Sequence, residues 1–186
     1  MSDFACALID DLYAGFPELK EILLKHSLQV REKAFGILSD SGLSLDRELI
    51  STGALLHDIG IFRCHAPGIC CTGEADYMAH GIIGGEILRQ YGREKGVDME
   101  PFARICERHT GSGLTEKEII AGRLPLPPRD YLPETPEEKL ICLADKFFSK
   151  SGRMEEKPFE AVRKSMARFG QEPLARFDAL CAFFKQ

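Results

Sequence analysis

A histidine–aspartate pair at the end of an apolar helical run is the feature that most limits what this chain can fold into. Ile50, Ala54 and His57 recur at three- and four-residue spacing, so the imidazole of His57 is expected on the stripe that faces the core. Asp58 follows directly, and Gly60 is the residue type that ends helices in a left-handed backbone conformation. A buried carboxylate is unfavourable unless something pairs with it. The pair therefore predicts a metal ion at a buried helix end.

Three more histidines and a second aspartate stand on apolar helical stripes elsewhere in the chain. Each has apolar residues three or four positions away, where a leucine would be expected. These residues are His26, His80, His109 and Asp145. Any one of them alone is explained as a hydrogen-bonded core residue. Together with His57 and Asp58 they supply imidazoles and carboxylates, which are ligands of divalent metal ions, and they predict a metal site inside a helical fold.

The order of these six residues resembles the HD-domain metal-dependent phosphohydrolase superfamily. Residues 57–60 match the HDIG form of its motif, residues 26–34 resemble its opening helix, and residues 143–146 resemble its closing segment. The similarity runs from about residue 19 to residue 150. It implies an all-α fold, a single HD-domain helical bundle with the metal site in the centre.

The resemblance also implies a pair of divalent metal ions, because forms of the family with two further histidines bind a second ion. Iron is the expected metal, with manganese, cobalt, nickel, zinc or magnesium as alternatives. The implied ligands are His26, His57, Asp58 and Asp145 for one ion, and Asp58, His80 and His109 for the other.

The expected activity is hydrolysis of a phosphate ester or anhydride by metal-activated water, with a nucleotide as the substrate. The segments that begin at His80 and His109 look closest to those of bacterial HD-type dinucleoside tetraphosphate hydrolases. Asp58 is expected to bridge the two ions. Arg63, just past the HD pair, and Lys146, beside Asp145, are the expected catalytic cations that would bind the remaining phosphate oxygens.

Three other functions stay open at this point. Di-iron oxygenases of the HD fold have the same six ligands and activate oxygen on organic substrates. A nucleotide-binding regulatory protein would have the fold without turnover. A cyclic-di-GMP phosphodiesterase of the HD-GYP branch is a weaker match, because Ile61 stands where that branch usually has lysine and the chain contains no Gly-Tyr-Pro.

Composition and charge limit the partners. The 186 residues are 44% hydrophobic with a net charge of -5, which argues against a nucleic acid polymer as partner. The small-molecule phosphate substrate that the resemblance implies would have to be attracted by the metal ions and a few local cations. No apolar run approaches transmembrane length and the N-terminus shows no signal-peptide pattern, so we expect no membrane partner and a cytoplasmic location. The seven cysteines are expected to be reduced thiols. Four residues near the HD motif fit no standard zinc pattern: Cys64, His65, Cys70 and Cys71.

Residues 1–186 are expected to form one HD domain, with its core at about 19–150, an insertion at about 113–136 and C-terminal helices at 157–186. The proline-rich stretch 124–133 inside the insertion cannot form regular helix or a central strand. It is either a surface connector or a wall of the substrate pocket. The apolar stripes of the last two helices are expected in the core, with part of them as a homodimer face.

Overall fold

Helices make up most of residues 3–186, the part of the chain that the computed structural model describes; residues 1 and 2 of the expected domain lie outside it. The nine α-helices of this part are α1 Asp3–Leu12, α2 Pro17–Ser41, α3 Arg47–Leu56, α4 His80–Lys95, α5 Glu100–Arg108, α6 Glu116–Gly122, α7 Pro136–Asp145, α8 Phe159–Ala167 and α9 Gln171–Phe183. Between α3 and α4, β1 (His65–Ala66) pairs antiparallel with β2 (Cys71–Thr72). The predicted all-α class is confirmed.

Local sequence sets where several helices begin and end. The carboxylate of Asp46 accepts hydrogen bonds from the first free backbone N–H groups of α3. Thr135 and Glu138 form a reciprocal capping box at the start of α7. Gly42 ends α2 with a φ of 71°, the left-handed conformation that glycine adopts most readily. Each of these helices carries one of the expected metal ligands or leads into one.

Gly60 is not left-handed, so that prediction was wrong. Its φ is -83°, and the chain continues through it into a 3-10 turn, Ile61–Arg63. Close packing against α4 explains the glycine instead. A Cβ atom at this position would lie 2.6 Å from the backbone nitrogen of Gly84 and would overlap the carbonyl oxygen of His80. The absence of a side chain at Gly60 therefore allows the HD turn to approach the start of α4.

The apolar core has two halves, and the expected metal ligands lie where they meet. One half is built from α2, α3, α7, α8 and α9, and includes Val30. The other is built from α1, α2, α3, α4, α5 and β2, and includes Leu23. Along α2, His26 stands between these two residues, so the boundary passes through its position. Within residues 3–186, no helix is both long enough and apolar enough to cross a membrane.

The insertion folds back against α5. Leu114 and Tyr131 exchange two backbone hydrogen bonds of 3.3 and 2.7 Å, and the Tyr131 side chain is buried. The guanidinium of Arg129 lies 3.2 Å from a carboxylate oxygen of Glu107 on α5. Arg108 donates a 2.6 Å hydrogen bond to the carbonyl oxygen of Leu132. These contacts hold the C-terminal part of the proline-rich stretch against α5.

Candidate metal centre

The fold brings all six expected metal ligands together, and all six are buried. One lies within α2, two follow the end of α3, one begins α4, one follows the end of α5 and one ends α7. In that order they are His26, His57, Asp58, His80, His109 and Asp145. Glycines on α4 allow it to pack closely against α5, because a Cβ on Gly81 would overlap the carbonyl oxygen of Cys106. This packing places the histidines of α4 and α5 side by side.

The first group of ligand atoms combines two imidazoles with two carboxylates. The Nε2 atom of His26 lies 2.9 Å from Asp145 Oδ1 and 3.2 Å from Asp58 Oδ2. The Nε2 atom of His57 lies 3.0 Å from the same Asp58 oxygen. All four ligand atoms lie within 4.8 Å of one another, a spacing that a single ion can span.

The second group shares Asp58 with the first. Its other oxygen, Oδ1, lies 3.4 Å from the Nε2 atoms of both His80 and His109. Those two Nε2 atoms are 3.0 Å apart. One carboxylate therefore faces two groups, with one oxygen directed to each, which is the arrangement of a bridging ligand.

The hydrogen bonds of three imidazoles direct their Nε2 atoms into the centre. In His57, His80 and His109, Nδ1–H donates to the carbonyl oxygen three residues earlier, at 2.6 or 2.7 Å. A neutral ring that donates from Nδ1 presents a lone pair at Nε2. Two such lone pairs facing each other at 3.0 Å, as in His80 and His109, repel unless a cation lies between them. The donor set therefore fits a metal ion.

Burial and charge set the protonation states of these groups. Burial lowers the pKa of His80 to about 3 and also lowers the pKa of His109, so both rings are neutral at pH 7. Burial alone would lower the pKa of His57, but Asp58 and Asp145 raise it to about 9. Burial opposes ionisation of Asp58, yet the charges of His57 and Lys150 hold the pKa of that carboxyl well below its usual range. At pH 7 the centre therefore offers ionised carboxylates and the neutral imidazoles of His80 and His109, whereas His57 carries a proton that a bound cation would displace.

Two lysines reach the cluster, and one of them was not among the expected site residues. Lys146 Nζ lies 2.6 Å from Asp145 Oδ2, beside the cluster as expected. Lys150 Nζ lies 2.6 Å from Asp58 Oδ2. Lys150 follows α7 in a loop, where helical spacing gives no direction for a side chain. The only signal in the sequence is its short separation from Asp145.

Arg63 lies apart from the cluster, which differs from the expectation that it is a catalytic cation. Its side chain is exposed, and its guanidinium carbon lies 5.6 Å from the centre of the Phe62 ring. It lines a surface groove together with Leu8 and Asp11 of α1 and Gln90 of α4. The 3-10 turn after Gly60 directs this side chain to the outside of the bundle.

A second groove, of about 410 Å³, adjoins the cluster through Lys150. The lining residues come from the β1–β2 segment and from the loop after α7: Ala66, Gly68, Ile69, Tyr77, Ser149, Lys150 and Ser151. The ring of Tyr77 stacks on His80, with 4.8 Å between ring centres. The proline-rich stretch contributes no residue to this lining. It packs on α5 instead, as a surface connector would.

The cysteines near the HD motif do not form a metal site in the part of the chain that the structure describes. The groups of His, Cys, Asp and Glu close enough to hold an ion there contain only histidine and aspartate. Cys64 and Cys71 are buried thiols, and the Cys70 thiol donates to a carboxylate oxygen of Glu18 at 3.6 Å.

Comparison with known proteins identifies the family. The family described as HD domain matches residues 23–149, more than half of the chain. The chain belongs to the HD domain family. The matched range contains all six clustered residues, and a buried His/Asp cluster in this family is typical of divalent metal binding.

Three relatives from archaea are similar in sequence. An uncharacterized protein of Methanocaldococcus jannaschii is 37% identical over 154 residues, which cover 81% of this chain and 79% of that protein. Two proteins named tRNA (cytidine(56)-2'-O)-methyltransferase also match. That of Picrophilus torridus is 44% identical over 104 residues, 56% of this chain and 25% of the relative. That of Thermoplasma volcanium is 34% identical over 134 residues, 72% of this chain and 34% of the relative. The chain thus spans only a quarter to a third of the two methyltransferases.

A solved structure shares the fold. The crystal structure of the HD domain of the L. monocytogenes phosphodiesterase PgpH matches with a TM-score of 0.51 and 16% identity. The match covers 96% of this chain and 97% of that one. At this identity the likeness supports the fold and does not transfer an activity.

Proposed function

We propose that this protein is a metal-dependent phosphohydrolase that cleaves a phosphate ester or anhydride of a small molecule. The observation that carries the proposal is Asp58, which faces two groups of buried ligands and also contacts Lys150 at the substrate groove. Membership of the HD domain family supports the same class of reaction. The whole chain is proposed to work as one HD domain, because α8 and α9 pack into the same core half as α2, α3 and α7.

The proposed centre holds two divalent ions, with iron as the proposed metal. The ligands are His26, His57, Asp58 and Asp145 for one ion, and Asp58, His80 and His109 for the other. Two bound ions would lower the pKa of a water molecule and polarise the phosphate that it attacks. Asp58 sets the separation of the two groups by directing one oxygen to each. The Nδ1 hydrogen bonds of three histidines fix the orientation of their rings.

Lys150 is proposed to bind phosphate in place of Arg63. Its ammonium lies at the inner side of the groove, beside Asp58, where a phosphate bound at the cluster would bring its remaining oxygens. Ser149 and Ser151 can donate hydroxyl hydrogen bonds there. Ala66 and Ile69 give an apolar wall for the organic part of the substrate. A nucleotide is the proposed substrate, supported by the motif resemblance to dinucleoside tetraphosphate hydrolases.

Anaerobic hydrolysis assays test this function. Protein purified without chelator and loaded with manganese or cobalt is incubated with nucleotides, dinucleoside polyphosphates and a small phosphate ester. We expect metal-dependent phosphate release that disappears in Asp58→Ala and persists in Asp10→Ala, which changes an exposed aspartate of α1. A failure to hydrolyse any phosphate compound, together with substrate-dependent oxygen uptake by the iron form, would instead indicate the oxygenase.

A further inference from the structure

We infer that Lys146 is a positioning residue that links the two ligand groups and does not contact the substrate. This inference rests on the proposed metal centre and adds a residue to it. The sequence suggested a different role for Lys146, that of a cation for the phosphate of the substrate. The contacts of its ammonium group and its position away from the groove lining favour the linking role.

The ammonium of Lys146 contacts one residue of each ligand group. Its Nζ lies 2.6 Å from Oδ2 of Asp145, which belongs to the first group. It also donates a 2.9 Å hydrogen bond to the backbone carbonyl oxygen of His109, which belongs to the second. Asp58 joins the two groups through its carboxylate. Lys146 provides a second link between the two groups, through the Asp145 oxygen that does not face the cluster and through the backbone of His109.

The contact with Asp145 determines which of its oxygens faces the cluster. Oδ1 lies 2.9 Å from the Nε2 atom of His26, whereas Oδ2 is paired with Lys146. Asp145 therefore directs a single oxygen to the first group. Without the ammonium, Oδ2 would be a buried charge with no partner of opposite sign beside it. The carboxylate would then be free to turn and to offer both oxygens to one ion.

The contact with His109 fixes the backbone of a ligand from the second group. His109 directly follows α5, where carbonyl oxygens have no partner within the helix. The Lys146 ammonium is the charged, shorter-range partner of that oxygen at 2.9 Å, beside the weaker Cys142 thiol at 3.6 Å, while Nδ1 of the ring donates to the carbonyl oxygen of Cys106. The ring and the backbone of His109 are thus held independently. Loss of the ammonium would loosen the backbone side of this ligand.

Position relative to the groove separates the role of Lys146 from that of Lys150, since the side chain of Lys150 is almost equally buried, at 13% exposed. The side chain of Lys146 is 9% exposed, and its ammonium is engaged by two residues that bear ligands. Lys150 lines the groove, whereas Lys146 is not among its lining residues. A phosphate in the groove would therefore meet Lys150 first.

Manganese binding by three variants tests the inference without any assay of activity. Lys146→Met removes the ammonium at similar side-chain length, and Lys146→Arg retains a positive charge. Lys139→Met is the matched control, because Lys139 lies two turns earlier, on α7, with its ammonium over the Phe183 ring. Affinity is measured by competition with a chelator, and paramagnetic resonance reports whether two manganese ions are magnetically coupled.

We expect wild type and Lys139→Met to bind two ions with a coupled spectrum. In Lys146→Met the weaker ion should bind about 10–100-fold less tightly, the range typical of residues that orient metal ligands. The coupled signal should decrease at two equivalents of manganese, and Lys146→Arg should recover part of it. If Lys146→Met does not fold, Lys146→Gln replaces it: its amide can still donate to the His109 carbonyl but carries no charge for Asp145, so metal affinity should still decrease, by less than in Lys146→Met.

Two results would count against the inference in different ways. If manganese affinity and magnetic coupling are unchanged in Lys146→Met, the linking role is overturned. A raised KM for the phosphate substrate in the same variant would then assign Lys146 to substrate binding. A wild-type protein that binds no manganese, iron or cobalt would overturn the proposed function as well. Metal binding without hydrolysis would contradict the proposed function alone.

Discussion

At the residue scale, the proposed chemistry depends most on one carboxylate, which both proposed metal ions would share. Asp58 is fully buried, and its two oxygens face different sets of imidazoles. The sequence could predict this residue, because it directly follows a histidine on an apolar stripe and belongs to an ordered set of six residues that resembles the HD-domain motif. It could not predict that Lys150 reaches the same carboxylate, because Lys150 lies in a loop where no periodicity applies.

The two ligand groups should respond differently to substitution. Asp58→Asn keeps the shape of the side chain and removes its charge, so we expect tight binding of both ions to be lost. His109→Ala removes a ligand from the second group alone and should leave about one ion per chain. Elemental analysis of freshly purified protein gives the number of metal ions per chain in each variant. Two ions retained in His109→Ala would contradict the assignment of separate groups.

Substitution of Lys150 should change substrate binding more than metal binding. Hydrogen bonds to charged groups contribute about 1.5–3 kcal/mol, which corresponds to about 10–100-fold. We therefore expect Lys150→Met to lower kcat/KM by roughly that factor, mainly through KM, and to weaken inhibition by inorganic phosphate. Elemental analysis of the same preparation should still find both ions. Unchanged phosphate inhibition would exclude a phosphate-binding role.

At the scale of helices and turns, close packing of α4 determines whether the second ligand group can form. Cap signals in the sequence predict the starts of α3 and α7, since they depend on neighbouring residues alone. The approach of α4 to the HD turn depends on a distant contact, which is why the role of Gly60 was misread. The proline-rich stretch illustrates the same limit. Its composition excludes regular helix, but only the pairing of Arg129 with Glu107 shows which face it covers.

The glycine at the HD turn provides a test at this scale. A Cβ on Gly60 would meet the backbone of α4 at His80 and Gly84, so Gly60→Ala should lower the free energy of unfolding by about 1–3 kcal/mol. It should also displace His80 and weaken the second ion. Gly36→Ala is the control, because nothing lies within 4 Å of its added Cβ on α2, and it should stabilise the helix by about 0.5–1 kcal/mol. The denaturant concentration at the midpoint of unfolding is measured for Gly60→Ala and Gly36→Ala. Equal midpoints for the two variants would contradict the packing argument.

At the scale of the whole molecule, the proposed centre lies between the two halves of the core. The first group draws on α2 and α7 and the second on α4 and α5. Of the HD pair after α3, His57 belongs to the first group and Asp58 to both. The inward set of histidines and aspartates was predictable from periodicity along single helices, and the all-α class from the resemblance to the HD-domain superfamily. The position of the proposed substrate groove was not predictable, because the groove is formed by the β1–β2 segment and the loop after α7, which are far apart in sequence.

Metal binding should therefore stabilise the entire fold, because the two ions share Asp58 and together would join α7 of one half to α4 and α5 of the other. Ions that bind only the folded state at about 1,000 times their Kd contribute roughly 4 kcal/mol. For a chain of this size that corresponds to a rise in Tm of about 10 °C. We expect wild-type protein to melt about 10 °C lower in chelator than with manganese or iron, measured by calorimetry. Asp58→Asn should show no metal-dependent shift, since it lacks the shared ligand. If wild type has the same Tm with and without metal, the ions do not join the two halves, and the proposed centre would have to be abandoned.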